Sequence, residues 1–285
     1  MVAPAPVMSR ATLVNVVLAL LVAGLAAFLY LRPRPAAAPE LALSSLDPEQ
    51  VTRIQVERGG PPLVLEKRDG HWYLVQPYRA RADAFRIKQL LDLLRAKASR
   101  RLAATDLDRF DLDRPAARVV FDDHAIAFGT VNELSNEQYV GTGENVYLIP
   151  LRHAAALPQD AKDMTGRQLF GPDEQPVRIA LGGVELALEN GIWRLQPAAE
   201  GLSQDDLNRW GDDWRGAASL LTQQGSGAGS GGEITVALKN GNVVRLTVVQ
   251  REPELVLRRE DEGLQYHFSA AVGKRLLTPP GTDSR

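Results

Sequence analysis

The chain has 285 residues, of which 45% are hydrophobic and 24% are charged, so it is long enough to bury a sizeable core. Its net charge of −2 argues against a nucleic-acid-binding protein, because such proteins usually carry a strongly basic face. The sequence contains no cysteine, which excludes a disulfide framework and lipid attachment through cysteine.

A nearly unbroken apolar run occupies residues 12–31, and Asn15 is its only strongly polar residue. About 20 apolar residues are enough for a helix to span a bilayer, whereas the apolar part of a signal peptide is shorter, roughly 7–15 residues. The sequence therefore predicts a tail over residues 1–11 and a single transmembrane anchor in the lipid bilayer over residues 12–31. A cleaved signal peptide is the alternative. The Pro/Ala-rich residues 32–40 are predicted to form an extended linker.

Short alternating runs and turn signals predict hairpins after the linker. Strands are predicted at residues 51–58, 63–67 and 71–75, and later at 117–121, 125–128, 138–140 and 146–149. Asp69-Gly70 is a hairpin turn signal, since a type I′ turn requires positive φ at both central residues. Asp83 can cap a helix whose apolar stripe runs from Ile87 to Ala98. Residues 152–157 are predicted as a short helix.

The same order of elements recurs in the second half of the chain. Strands are predicted at residues 177–181, 184–188, 192–195, 234–238, 243–250, 254–259 and 265–268, with a helix that begins at Ser203 and continues its apolar stripe to Leu221. Trp72 and Trp193 each follow a turn signal and lie 121 residues apart (193 − 72). Tyr147 and Tyr266 lie 119 apart (266 − 147). Because the two pairs of residues are separated by nearly the same distance along the chain, the sequence predicts tandem repeats, over residues 41–166 and 167–285.

The predicted strands come in hairpins and do not alternate one by one with helices. This pattern is typical of the α+β class, here two tandem units of antiparallel sheet with helices packed on one face. A G-x-G-x-x-G pattern at residues 227–232 has a helix before it and a strand after it, the reverse of a dinucleotide-binding site. We therefore predict a flexible loop over residues 225–232 and no bound cofactor.

Two polar clusters were considered as sites of chemistry. The four aspartates between residues 106 and 113 lack the central glycine and distal glutamate of a calcium loop, so we predict a turn and no metal. Residues 122–124, Asp-Asp-His, are interpreted as a polar turn, with a proton-transfer pair as the alternative. No nucleophile or acid–base motif is recognisable, and no catalytic residue is predicted.

Three tryptophans are the candidate ligand-binding residues: Trp193, Trp210 and Trp214. Aromatic faces in a cleft between the two repeats could bind an apolar ligand. Because Trp210 and Trp214 lie on the apolar stripe of one predicted helix, core packing is the competing interpretation. Trp72 and Trp193, at matched repeat positions, are expected to be largely buried.

The first repeat resembles a bacterial family known only as a domain of unknown function. The matching motifs, within residues 41–157, are Lys67-x-x-Gly70-x-Trp72-x-Leu74 and Leu107-x-x-Phe110-x-Leu112-x-x-Pro115, followed by Gly129 and Tyr139-Val140. Asp111 departs from the pattern, in which glycine is expected. The resemblance implies a membrane-anchored envelope protein, and some family members occur with auxiliary parts of gliding-type ABC transporters. It supplies no catalytic residues.

We therefore expect a non-enzymatic single-pass protein of the bacterial inner membrane, with its C-terminal domain in the periplasm. Its expected role is that of a tethered adaptor or an accessory subunit of a membrane complex, such as an ABC transporter. Another envelope or membrane protein is the expected partner, and no nucleic acid is expected. The alternative is a binder or carrier of an apolar ligand, and a third interpretation is an envelope hydrolase with a dispersed active site.

Overall fold

The structure, a computed structural model, describes residues 10–31, 41–225, 229 and 231–281. Most of the predicted tail, the whole predicted linker and residues 226–228 and 230 of the predicted loop lie outside the described residues. Contacts along the chain separate Met1–Glu40 from Leu41–Arg285. These two parts are described separately.

Helix α1 extends from Arg10 to Leu31 and includes the apolar run at residues 12–31. Its side chains are described at residues 14–28 and at Leu31, and all of these are exposed. Among the residues whose side chains the structure describes, which in α1 are residues 14–28 and Leu31, no helix is both long enough and apolar enough to cross a bilayer.

The part Leu41–Arg285 consists of two large antiparallel sheets with a few short helices, which confirms the predicted α+β class. The first sheet has the order β5-β4-β3-β2-β8-β9-β10-β11-β7. Its strands are β2 (Arg53–Glu57), β3 (Leu63–Arg68), β4 (His71–Gln76), β5 (Ala80–Arg81), β7 (Arg100–Ala103), β8 (Ala117–Phe121), β9 (His124–Asn132), β10 (Glu137–Thr142) and β11 (Asn145–Pro150). A separate small ladder pairs β1 (Leu41–Ala42) with β6 (Lys97–Ala98).

The second sheet has the order β14-β13-β12-β16-β17-β18-β19-β15. Its strands are β12 (Pro176–Leu181), β13 (Val184–Glu189), β14 (Ile192–Gln196), β15 (Leu221–Gln224), β16 (Glu233–Leu238), β17 (Val243–Gln250), β18 (Leu255–Arg259) and β19 (Leu264–Phe268). With β5 left out, every strand of the first sheet has a counterpart at the same place in the second sheet, and the chain visits the two sets in the same sequence.

The matched hairpins are closed by turn residues that adopt positive φ. Asp69 and Gly70 have φ of 50° and 81°, and Asn190 and Gly191 have φ of 52° and 82°. Aspartate, asparagine and glycine are the residues that tolerate this left-handed region best. The β3–β4 and β13–β14 hairpins are therefore closed by equivalent two-residue turns.

Three helices follow the strands and begin at side-chain caps. Helix α2 (Ala84–Leu91) is capped by Asp83, whose Oδ1 accepts hydrogen bonds from the amides of Phe85 and Arg86 at 2.9 and 3.1 Å. Helix α3 (Gln204–Arg215) starts at Ser203, which forms a capping box with Asp206. Helix α4 (Ala270–Leu277) starts at Ser269. Helices α3 and α4 pack side by side against the second sheet.

The predicted helix ends were wrong in three places. Helix α2 stops at Leu91 and continues as a 3-10 helix, Asp92–Arg95, so Ala98 lies in strand β6. Helix α3 stops at Arg215, since Gly216 ends it and Leu221 belongs to strand β15. The predicted helix at residues 152–157 is a 3-10 helix, Leu151–Ala156. In the first two cases the last residues of the predicted apolar stripe, Ala98 and Leu221, pair with the distant residues Leu41 and His267.

The chain crosses from one sheet to the other through a segment bonded to both. On one side, the amide of Gly166 donates to the carbonyl of Arg81 at 2.7 Å. On the other side, the carbonyl of Leu169 accepts a hydrogen bond of 2.8 Å from Nη1 of Arg259 on β18, and its amide donates to the carbonyl of Ala217, in the loop between α3 and β15, at 2.9 Å. Buried apolar residues of both sheets belong to one continuous core.

Candidate functional site

The three candidate tryptophans lie in the core beside the second sheet. Trp193 on β14 and Trp210 on α3 are each 3% exposed, and Trp214 on α3 is fully buried. The indole nitrogen of Trp210 donates to the carbonyls of Arg275 and Leu276 at 3.0 and 3.2 Å, which fastens α3 to the end of α4. The indole nitrogen of Trp214 has no hydrogen-bond partner among the described residues.

Trp193 is buried because α3 lies directly on its ring. A Cβ atom added at Gly211 would be 2.5 Å from the indole, so only glycine allows this approach. The guanidinium of Arg215 lies 4.9 Å from the ring centre, in cation–π contact. The counterpart Trp72 is partly buried and packs against the core of the first sheet, so it is less buried than Trp193. These contacts favour the packing role of the tryptophans.

The structure places a cleft elsewhere, where the two sheets meet. It has a volume of about 330 Å³ and is lined by residues of the first sheet, of the crossing segment and of β15. Val56, Leu63, Pro77, Tyr78 and Ala161 supply apolar surface. Arg58, Lys162 and Gln223 supply polar groups. None of the candidate tryptophans lines this cleft.

Tyr78 fixes one wall of the cleft. Its hydroxyl lies 3.0 Å from Oγ1 of Thr165, which in turn donates to the carbonyl of Ala161 at 2.8 Å. Burial raises the pKa of Tyr78, and the hydrogen bond to Thr165 opposes this rise. The side chain is therefore a neutral phenol, which lines the cleft and packs against the core.

A partly buried ionic cluster joins the two sheets. Arg81 of β5 donates from Nε to Glu262 at 2.9 Å and from Nη2 to the hydroxyl of Tyr266 at 3.0 Å. Its Nη2 also donates to the carbonyls of Gln168 and Leu169. Burial lowers the pKa of Arg81, but the charge of Glu262 and the phenol of Tyr266 outweigh it and raise the pKa.

Arg259 is the most buried charge of this cluster, with its side chain 2% exposed. It donates from Nη1 to Glu174 at 2.7 Å and from Nε to Asp261 at 2.9 Å. Burial opposes the charge on Glu174, but the hydrogen bonds from Arg259 and from the amide of Gly171 outweigh it, so the pKa of Glu174 is lowered. Burial also raises the pKa of Tyr266, whose hydroxyl donates to Glu262.

The cluster is built for joining the sheets and not for proton transfer. Each of its carboxylates accepts a hydrogen bond from a guanidinium. The pKa of Glu174 is lowered and the pKa of Arg259 is raised, and both shifts favour the charged Glu174–Arg259 pair. These residues could not be predicted from the sequence, because Arg81 and Glu262 are 181 positions apart and no local motif links them. The unusual run Arg-Arg-Glu-Asp-Glu at residues 258–262 was the only available signal.

Two residues of the Asp-Asp-His cluster at 122–124 make hydrogen bonds to neighbouring segments of the chain. Asp122, in a turn with φ of 51°, accepts hydrogen bonds from the amides of Thr52 and Arg53 at 3.1 and 2.9 Å. His124 lies 3.2 Å from Oγ1 of Thr142, across the hairpin. Within the described ranges, no group of three or more metal-binding side chains converges.

A further group of polar side chains surrounds His267 and was not predicted from the sequence. Nδ1 of His267 on β19 lies 2.9 Å from Oε1 of Glu254, and its Nε2 lies 3.2 Å from Nε2 of Gln223 on β15. The histidine side chain is 15% exposed. These bonds tie the edge strand β15 to its neighbours, close to the cleft.

The family motif residues meet in one packing arrangement in the first sheet. A Cβ atom at Gly129 would lie 1.9 Å from the carbonyl oxygen of Phe110, and the side chain of Leu112 also packs there. The rings of Phe110 and Tyr139 are 4.6 Å apart. Asp111, the departure from the family pattern, has φ of 54°, a conformation that glycine adopts freely and aspartate tolerates.

Comparisons with known proteins match this chain to one family. The family model described as a domain of unknown function (DUF4340) matches residues 72–212, from strand β4 to helix α3. No curated protein and no solved structure matches. The match extends into the second sheet, beyond the region 41–157 in which the motifs were recognised. The resemblance to a family of unknown function is thus confirmed over residues 72–212 of the chain.

Proposed function

We propose that the protein is a non-enzymatic, single-pass membrane protein that acts as a tethered adaptor. In this proposal residues 12–31 anchor it in the bacterial inner membrane, and the part from Leu41 onwards lies in the periplasm. There it binds another envelope or membrane protein, as an accessory subunit of a membrane complex such as an ABC transporter.

The apolar surface of helix α1 carries the proposal. At 1.5 Å per residue, a helix from Arg10 to Leu31 is about 33 Å long, and the hydrocarbon core of a bilayer is about 30 Å thick. Its exposed side chains include Leu20 at 68% and Phe28 at 61%. A helix that is apolar on all sides is normally covered by protein or by lipid, and we propose lipid.

We further propose that residues 41–166 and 167–285 are tandem repeats. The shared strand order of the two sheets supports this proposal, as do their equivalent hairpin turns. The ionic cluster around Arg259 holds the repeats together as one body. A rigid body on a membrane anchor searches in two dimensions, so a weak interface is enough to recruit a partner.

Complementation of a strain that lacks the gene tests this function. Three forms are compared at equal abundance: the full chain, a form with residues 12–31 replaced by an unrelated single-pass segment, and an exported form that begins at Leu41. We expect the first two forms to complement and the untethered form to fail. Asp123→Ala and His124→Ala should complement in full, since no catalytic role is assigned to either.

Full complementation by the untethered form would refute the tethered adaptor, and loss of complementation in one of the point variants at normal fold would indicate an enzyme. The orientation has its own test. A phosphatase fused after Arg285 should be active only if that end is outside the cytoplasm.

The cleft at the junction favours a second candidate, a binder of an apolar ligand. About 330 Å³ lies at the lower end of the range for small-molecule sites, and Tyr78 offers a neutral aromatic face. A naphthalene-type dye should bind the full chain with enhanced fluorescence. Gln223→Trp at the wall of the cleft should abolish the enhancement, whereas Gln50→Trp on an exposed surface should not. Equal binding by both variants would exclude the cleft.

A further inference from the structure

The outer edge of strand β4 is covered by the chain itself. Strand β5 pairs with it, with Ala80 opposite Leu74 and Arg81 opposite Tyr73. The amide of Ala82 adds a hydrogen bond of 2.9 Å to the carbonyl of Trp72. The backbone groups that a sheet edge would otherwise expose are satisfied here by a short antiparallel strand.

The equivalent edge in the second sheet, that of β14, has no such strand in the described part of the chain. In the two-residue hairpin Glu189 faces Ile192, so the backbone groups of Trp193 and Leu195 point away from β13. The side-chain amide of Gln204 donates to the carbonyl of Trp193 at 3.2 Å, where Ala82 donates in the first sheet. The amide and carbonyl of Leu195 form no backbone hydrogen bond among the described residues, neither with β13 nor with a loop.

The reason is a turn in the following segment. Five residues separate Pro77 from the helix cap Asp83, and five separate Pro197 from the helix cap Ser203. In the first case they form β5. In the second they form no strand, and Gly201 among them has φ of 80°, outside the extended region. The segment after Pro197 is long enough to form a covering strand, but it does not adopt the conformation of a strand.

We propose that the outer edge of β14 binds an extended segment of a partner protein as an added antiparallel strand. This inference rests on the proposed adaptor function and names the surface that the adaptor uses. Strand addition takes its affinity from main-chain hydrogen bonds and its specificity from side-chain positions. The bound strand would take the place that β5 occupies on the first sheet.

The first sheet also indicates the chemistry of the segment. The residue opposite Leu195 takes the position of Ala80, which is 7% exposed, so it must be small. The next residue lies opposite Arg194, whose side chain is 60% exposed and lies 3.2 Å from Glu189. An acidic residue fits there, because opposite charges stabilise cross-strand pairs. The partner segment is therefore extended, with a small residue followed by an acidic one.

Hydrogen exchange on the full chain tests the site with a defined probe. The probe is a peptide with the sequence of residues 78–83 carrying Arg81→Glu, and the control peptide also carries Ala80→Trp. We expect the Leu195 amide to exchange fast in the free protein and at least about ten-fold more slowly with saturating probe, as for an amide entering a strand ladder. The control peptide should have no effect. No slowing, or equal slowing by both peptides, would overturn the proposal.

A graft closes the edge with the sequence of residues 78–81, changed as in the probe. The variant carries Ala198→Tyr, Ala199→Arg, Glu200→Ala and Gly201→Glu, and its matched control carries only the first two changes. We expect the graft to slow exchange at Leu195 without the peptide and to lose complementation, and the control to do neither. An unprotected Leu195 in the graft would count against the proposal, since a strand-forming segment would then have failed to pair on this edge.

The two proposals fail in different ways. If the graft protects Leu195 and still complements while the untethered form does not, the adaptor function stands and the β14 edge is not its binding surface. If the untethered form complements as well, the adaptor itself is refuted. A second copy of this chain as the occupant would appear as a dimer that the graft abolishes, and would overturn the assignment to another protein.

Discussion

Substitution of Gly129 by alanine gives the sharpest test of how the first sheet is packed. The added Cβ would lie 1.9 Å from the carbonyl oxygen of Phe110, where real Cβ atoms essentially never approach closer than 3.0 Å. The backbone must therefore move by at least about 1.1 Å, the difference between these two distances. It moves in a turn that Asp106 and Asp111 already hold in the left-handed region. We expect a loss of about 3 kcal/mol in the free energy of unfolding, at the upper end of overpacking costs.

Gly141→Ala is the matched control, because its Cβ would meet the same leucine, Leu112, at an ordinary contact distance of 3.4 Å. That change should alter the free energy of unfolding by less than about 1 kcal/mol, with alanine favoured through the unfolded state. In thermal unfolding of the full chain followed by circular dichroism, Gly129→Ala should lower Tm by about 6–12 °C. Equal Tm values for the two variants would refute the packing argument.

Three further changes probe the core and the junction. Trp193→Ala should cost about 3–5 kcal/mol in denaturant unfolding, and Trp72→Ala measurably less, because its ring is only partly buried; equal costs would contradict the burial difference. Tyr78→Phe should cost about 1 kcal/mol, since Thr165 loses one hydrogen bond and keeps the other. The lowered pKa of Glu174 stabilises the fold above the unfolded-state value of about 4.3, and this stabilisation is lost as the pH falls through the folded-state pKa. Glu174→Gln should therefore flatten the acid limb of stability against pH, and an unchanged limb would exclude this carboxylate.

Local signals in the sequence were sufficient for the hairpins and the helix starts. Asn190-Gly191 specifies its turn through positive φ at both positions, and Asp83 specifies a helix start through its carboxylate. These effects involve neighbours within a few residues, so they can be recognised without a fold. Asp111 adopts a left-handed conformation that aspartate tolerates, which explains how it can stand where the family motif has glycine.

Helix ends and the candidate site depend on distant residues and could not be predicted in the same way. Ala98 fits the apolar stripe of a helix, but its backbone pairs with Leu41 in a ladder that no periodicity reveals. The ligand-binding cleft was expected at the tryptophans, because their aromatic faces could bind an apolar ligand. It is formed instead by Tyr78 and Gln223, which are brought together only when the two sheets meet.

The crossing segment has a consequence for how the protein unfolds. Tandem repeats that touch only through a flexible joint melt one after the other, and each survives the loss of its neighbour. Here the amide of Gly166 donates to the carbonyl of Arg81 of the first sheet, and three positions further on the carbonyl of Leu169 accepts a hydrogen bond from Arg259 of the second sheet. Unfolding of either sheet would remove hydrogen-bond partners from this segment, so calorimetry should record a single cooperative transition for Leu41–Arg285, and neither half should persist as a free-standing fragment.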